Sequence, residues 1–272
     1  MLQYRDTQLT IFESALFRTT STLFQSPDML LLVDPTWLPQ EIVAIKNEVD
    51  LIRGKRPLYL LFTHSDYDHI IAWKAFPDAI TIASQAFIDN PEKEKQLNQI
   101  RKFDDENYIT RPYPIAYPVI DIAINQNGQQ LKIGNTTLTF YLSPGHNLDG
   151  IFTIIEPHGI WIAGDYLSNI EFPYIYHSSI AYEDLLQKVD TFLEKHTFRI
   201  LVPGHGDHCT EPTEIRRRAK NDLAYIQRLR EAIARGETPE PASLYKPILF
   251  PQIMHQFHEG NIRLLKEEQQ IR

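Results

Sequence analysis

Between positions 63 and 70 the chain reads THSDYDHI, and His64, Asp66, Asp68 and His69 stand within six of those residues. Two imidazoles and two carboxylates so closely spaced are metal-ligand types, at a density that a plain surface loop does not need. His64 and Asp66 alternate with Asp68, and His69 opens a predicted helix, so one loop can divide its donors between two neighbouring ions. Three more candidates follow, each behind an apolar run and directly after a glycine: His146 in LTFYLSPGHNLDG, Asp165 in GIWIAGD and His205 in ILVPGHGD. Glycine lets the backbone turn sharply, so that the next side chain can enter a crowded centre. Singly, each histidine reads as an ordinary hydrogen-bonded residue. Together the seven can complete two metal shells, with a carboxylate able to bridge them.

Strand ends must deliver these donors. LTIF, ALFRTTSTLF and MLLLV predict strands, the last stopping at Asp34-Pro35. Leu38 to Ile52 carries Ile42, Val43, Ile45, Val49 and Ile52 at helical spacing and ends at Gly54. PLYLLFT, 57 to 63, is continuously apolar and predicts a buried strand leading straight into the donor loop. Strand, helix, strand opens a layered α/β architecture. In such folds the strand ends point into the crevice where ligands bind. AWKAF then predicts a short helix, AITIA a strand, and residues 84–118 a helical excursion with an extended proline-rich return, covering one edge of the site.

Residues 119–142 predict a meander of VIDIAIN, QQLKI and TTLTFYL, turned at Asn127-Gly128 and Gly134-Asn135. IFTIIE and GIWIAGD predict a hairpin, 182–196 a helix, and FRILVPGHGD a strand running into a loop. Two helices, near 211–235 and 253–271, end the chain. On the first of them Ile215, Ala219, Leu223, Ile226, Leu229 and Ile233 form a stripe expected to pack on the core. With no fixed-period repeat and no linker, one domain over 1–272 is expected, residues 210–272 being a helical extension packed on it.

The ordered donors resemble those of the metallo-β-lactamase superfamily, whose pattern is HxHxDH, then a later His, a bridging Asp and a final His. The similarity runs from about Ser21 to Asp207 and includes Asp34-Pro35, which is similar to a turn that the family places after an early strand. It implies an α/β (α+β) fold, a four-layer αβ/βα sandwich with added C-terminal helices. It also implies that His64, Asp66 and His146 hold a first metal ion, that Asp68, His69 and His205 hold a second, and that Asp165 bridges them. The implied cofactors are two divalent cations, zinc first, with iron or manganese as alternatives. The implied chemistry is metal-assisted hydrolysis, with Asp68 a proton acceptor or orienter as well as a ligand.

Two departures bear on function. Asp66 stands where the pattern has its second histidine, and the family members with a carboxylate there include the flavodiiron proteins, which use Glu. Asp165 occupies a place that antibiotic-hydrolysing relatives usually leave without Asp, so β-lactams are not the expected substrate. The expected function is hydrolysis of a small ester, thioester, lactone or phosphoester. The alternatives are a di-iron oxidoreductase and a metal-binding protein with little catalysis.

Composition narrows the partners. A formal charge of −8 argues against nucleic acid, which needs clustered Lys and Arg. No stretch has the length of a membrane span, and the N-terminus has no signal-like apolar segment. The single cysteine, Cys209, fits a reducing compartment. A cytoplasmic protein acting on a small molecule is therefore expected, with oligomeric state open. Among other residues, Tyr174, Tyr176 and His177, in the loop NIEFPYIYHSS that leaves Asp165, are candidates for a substrate wall. Cys209, His208 and the pair His255/His258 read as packing, surface or helix-face residues.

Overall fold

The computed structural model describes residues 1–237 and 250–270, in two compact units, Met1–Leu142 and Ser143–Arg272. The fold is mixed α/β with two sheets. The helical extension expected over 210–272 falls within the second unit, except that 238–249 and 271–272 lie outside the described residues. No described helix is long and apolar enough to cross a membrane.

The first unit is organised by a seven-stranded sheet in sequential order: β1 (Leu2–Arg5), β2 (Leu9–Glu13), β3 (Thr20–Gln25), β4 (Leu30–Val33), β5 (Leu58–Leu61), β6 (Ile80–Ser84) and β7 (Ile122–Ile124). β1 to β4 pair antiparallel, whereas β4, β5, β6 and β7 run parallel. Parallel pairing in this register sets Val33 opposite Leu61, so β4 and β5 end together and release Asp34 and Thr63 side by side. The crossover between them is α1 (Pro39–Arg53), with Pro39 in its first turn, where a missing N–H costs nothing. Glu41 accepts from the Leu38 N–H at 2.9 Å and closes that turn. Ile42, Ile45 and Val49 are buried, each contributing roughly 1.5–3 kcal/mol. Val43, expected on the same face, is exposed, because it sits one step off the stripe.

β5 leads into the donor loop, α2 (Tyr67–Ile70) and a 3-10 turn at Trp73–Ala75. The excursion expected after β6 is α3 (Gln85–Asp89), capped by the Ser84 hydroxyl accepting from Phe87 N, then α4 (Lys93–Glu106) and an extended return. It packs beside the donor loop: Trp37 stands between the rings of Tyr67 and Phe103, and Asn90 donates to Ser65 at 2.8 Å.

Two expectations for this unit change. Only Thr20–Gln25 of ALFRTTSTLF is strand, since Phe17 and Arg18 turn the chain with φ of 55° and 50°. VIDIAIN does not begin a meander: β7 joins β6 in the large sheet, and only β8 (Gln129–Ile133) and β9 (Thr136–Leu142) form the hairpin. The Asp121 carboxylate accepts from both Thr81 N and Thr81 Oγ1 at 2.9 Å, which draws the segment onto β6.

In the second unit β10 (Ile151–Glu156) and β11 (Ile160–Ile162) form the expected hairpin, and β12 (Ile200–Val202) pairs parallel to β11. The helix expected over 182–196 is two, α5 (Ser179–Leu186) and α6 (Val189–Lys195). They are parted where Lys188 N bonds to Leu185 O, three residues back instead of four. α7 (Pro212–Ala234) buries Ile215, Ala219, Ile226, Leu229 and Ile233, with Leu223 half-buried. The last helix, α8 (Pro251–Gln270), buries Met254, His258, Asn261, Ile262 and Leu265 at helical spacing.

Candidate metal centre

In the first unit the four donors leave β5 within one turn of chain. His64, Asp66, Asp68 and His69 are all buried. Asp66 is the residue before α2, yet its carboxylate does not cap the helix. Instead Asp66 Oδ2 lies 3.7 Å from His64 Nε2, and Asp68 Oδ2 lies 3.7 Å from His69 Nε2. The two imidazole rings are 4.1 Å apart.

The hydrogen bonds behind these rings fix their tautomers. The Thr63 hydroxyl donates to Asp34 Oδ2 at 2.6 Å, so at 3.0 Å it can only accept from His64 Nδ1–H. Asp34 Oδ2 likewise accepts from His69 Nδ1–H at 3.0 Å, while Asp34 Oδ1 accepts from Thr63 N at 2.9 Å. With both Nδ1 atoms donating, the neutral form of each ring carries its lone pair on Nε2, which faces a carboxylate. Asp34 is thus the organiser of this donor set, although the sequence shows it only as a turn. The signal available was its place beside the donor strand, one residue past β4.

Register does the corresponding work in the second unit. β11 and β12 pair with Ile162 opposite Val202, so Asp165 and His205 each stand three residues beyond a paired strand end. Gly204 N donates to Gly164 O at 2.6 Å and ties the two ends together. Asp165 Oδ2 then lies 3.3 Å from His205 Nε2 and 3.4 Å from His146 Nε2. His146 Nδ1 is 2.6 Å from the Tyr174 carbonyl, which can only accept, so Nδ1 donates and the neutral form of this ring too has its lone pair on Nε2.

Gly145 delivers His146 at φ +138, and a Cβ there would sit 2.6 Å from Tyr166 Oη and 2.7 Å from Tyr182 Cα. Tyr166 accepts from His146 N at 3.0 Å, and burial pushes its phenol far above the ordinary range, so it remains a neutral hydrogen-bonding group. Behind the loops, Arg218 of α7 donates to Leu167 O at 3.0 Å and to Asp207 O at 2.9 Å, joining the segments that follow Asp165 and His205. Asn169 and Asp207 clamp the same segments reciprocally at 2.7 Å. Sequence reading places Arg218 in the basic run Arg216-Arg217-Arg218 on a solvated helix face and does not mark Asn169. Arg218 is instead buried, because its partners are backbone atoms of distant loops.

Imidazole nitrogens facing carboxylate oxygens at 3.3–3.7 Å suit a cation between them. Two donors about 2 Å from a tetrahedral ion stand roughly 3.3 Å apart. The donor chemistry of each unit therefore fits a metal ion, and the clustered His and Asp residues are of types that hold one.

The sequence matches the metallo-beta-lactamase superfamily over residues 15–234. The chain belongs to that superfamily. Solved structures agree on the fold. A metallo-beta-lactamase family protein from Thermus thermophilus is 19% identical, covering 96% of this chain and 94% of its own, with a TM-score of 0.65. The inverting sec-alkylsulfatase of Pseudomonas sp. is 14% identical at a TM-score of 0.69; 98% of this chain is covered, but this chain spans only 50% of the sulfatase. ETHE1 from Myxococcus xanthus is 16% identical with a TM-score of 0.55, covering 79% of this chain and 84% of its own. No curated protein matches the sequence. Superfamily members are mostly hydrolases or related enzymes.

The remaining candidates separate. The Tyr174 ring stacks on Phe257 of α8 at 4.0 Å, so it is packed from behind. Tyr176 is 46% exposed, with its ring 5.5 Å from the His146 imidazole, and so borders that donor. His177 is exposed and hydrogen-bonds through its backbone N–H to His146 O. Cys209 is buried, His255 forms an exposed pair with Glu259 at 3.5 Å, and His258 is buried against Tyr225. His208 is half-buried, and burial lowers its pKa.

Proposed function

We propose that the chain is a metal-dependent hydrolase in which the seven donors serve one dinuclear centre. It would act on a small ester, thioester, lactone or phosphoester. The observation carrying the reading is the shared hydrogen-bond pattern at His64, His69 and His146: Nδ1 is engaged from behind and Nε2 faces a carboxylate. In this reading His64, Asp66 and His146 hold one ion and Asp68, His69 and His205 the other. Asp165 is shared, as befits a carboxylate already approached by two imidazoles. When bound, divalent cations acidify water to near neutrality and polarise the oxygen of the bond under attack.

The chain's own residues do the rest. Asp68 orients the attacking water and takes its proton at a carboxylate oxygen. Tyr176 lines the approach to His146 and excludes water from one side of the substrate. His177 projects from the same loop, where an imidazole can donate to an oxygen that gains charge. The test is metal analysis of the purified protein, followed by turnover of an ester, thioester, lactone and phosphoester panel. A sulfate ester joins the panel because a structural neighbour is an alkylsulfatase. Metal-bound protein that hydrolyses one class supports the reading. Protein that takes up no zinc, manganese or iron sinks it.

A further inference from the structure

We infer that α8 sets the metal affinity of His146, with Asn261 as the positioning residue; the inference rests on the metal-dependent reading above. Asn261 is fully buried and spends both ends of its amide on one loop. Its Oδ1 accepts from Ile175 N at 2.9 Å, and its Nδ2 donates to Pro173 O at 2.7 Å. The residue held between these two bonds is Tyr174, whose carbonyl accepts from His146 Nδ1. One side chain on the last helix therefore fixes the peptide that fixes the imidazole.

Other residues of α8 reinforce the hold. Phe257 stacks on the Tyr174 ring with an interplanar angle of 15°. Gly260 leaves room for that ring, since a Cβ there would lie 3.2 Å from Tyr174 Cε2. The Asn261 amide also donates to Tyr225 Oη at 3.0 Å, which is 2.9 Å from His258 Nδ1, so the clamp is anchored to α7. Further along, Glu268 accepts from Ser179 N at 2.9 Å and from Ser178 Oγ at 3.1 Å, holding the far end of the same loop. Residues 257, 261 and 268 thus grip the segment from 173 to 179, and Gly260 makes room for it.

A group that orients a ligand's other nitrogen typically changes metal affinity by about 10- to 100-fold when lost. Linkage makes the effect reciprocal: if α8 favours metal binding, metal must favour the docked α8. A helix that merely covers the core would share only the general stabilisation that bound metal gives the folded state, and its loss of a side chain would leave the metal affinity of the folded protein unchanged.

The experiment uses the full chain. Zinc affinity is measured by chelator competition for wild type and Asn261→Ala, with cobalt substitution to record the visible spectrum of the site. The expected result is zinc binding weakened by about 10- to 100-fold and an altered cobalt spectrum in the variant, beyond any fall in metal-free Tm. Unchanged affinity and spectrum in a folded variant overturn the inference. Should Asn261→Ala fail to fold, wild type alone decides it: zinc should slow amide hydrogen exchange in α8 by more than the general slowing that any metal bound to the folded state gives, and a change in α8 no larger than that elsewhere overturns it. Wild type that binds no metal at all overturns the hydrolase reading instead.

Discussion

Four donors of the first unit come from six consecutive residues, whereas the three of the second come from strand ends spread from 146 to 205. The compact set needs little from elsewhere. One acid, Asp34, and one hydroxyl, Thr63, hold both imidazoles, and both come from neighbouring strand ends. The dispersed set depends on long-range contacts: Arg218 from α7, the Asn169–Asp207 clamp, and the loop gripped by Asn261. A local motif carries its geometry with it, while a dispersed one borrows geometry from the body of the fold. Damage to the first set should therefore appear in metal binding, and damage to the second in stability and metal binding together.

The largest expected effect is at the centre of the dispersed set. Asp165 Oδ2 faces both His146 Nε2 and His205 Nε2, so Asp165→Ala removes an anion that both approach. At least one equivalent of metal should be lost, and any hydrolytic rate should fall on the order of 100-fold or more. Mass-spectrometric metal counting and turnover check it. Full metal content with near-normal turnover would remove Asp165 from the centre.

Next in size is Arg218→Ala. Its guanidinium is buried and serves two backbone carbonyls, Leu167 O and Asp207 O. Each buried acceptor left without a donor costs about 1–3 kcal/mol, so a loss of about 3 kcal/mol is expected. Urea unfolding of the metal-free protein reads it. A change below about 0.5 kcal/mol, the range of an ordinary surface substitution, would mean that these loops hold their shape without α7.

Asp34→Asn supplies the contrast in the compact set. An amide can still accept from Thr63 N through its oxygen, but its NH2 then faces Thr63 Oγ1 and His69 Nδ1. Two donors meet, and His69 is driven toward the tautomer with its proton on Nε2. Metal affinity should fall by about 10- to 100-fold. Metal-free stability should change less than in Arg218→Ala, and the reverse order in urea unfolding would erase the contrast between the two sets.

The same contrast explains what could be read from the sequence. THSDYDHI was legible because its donors are contiguous and follow a continuously apolar strand. His146, Asp165 and His205 were legible through their glycines and apolar runs, and register then explains why Asp165 and His205 meet. Most elements were legible too, since α1, α7 and β4 to β6 carry strong periodic or continuous apolar patterns. The misreadings fall where a tertiary contact decides. Asp121 and Thr81 draw β7 to β6, and a tightened turn at Lys188 splits one helix into two. Arg218 and Asn261 carry no motif, and Asp34 shows only as a turn, because each acts on backbone or on a neighbour's back.

The smallest expected effect concerns Asp66, the residue that departs from the family pattern. Its carboxylate lies 3.7 Å from His64 Nε2 and leaves α2 uncapped, so it belongs with the donors and not with the helix. A carboxylate in place of an imidazole adds a negative charge and a hard oxygen. Such a shell moves relative preference from zinc toward manganese or iron, although zinc still binds mixed nitrogen and oxygen sites more tightly than either. Asp66→His should therefore keep the metal and change only its identity, gaining zinc over manganese and iron by a few-fold at one position. Wild type and variant are purified from cells grown with all three metals and counted by mass spectrometry. Equal metal ratios in the two proteins would make Asp66 a bystander. The compact set would then rest on His64, Asp68 and His69 alone.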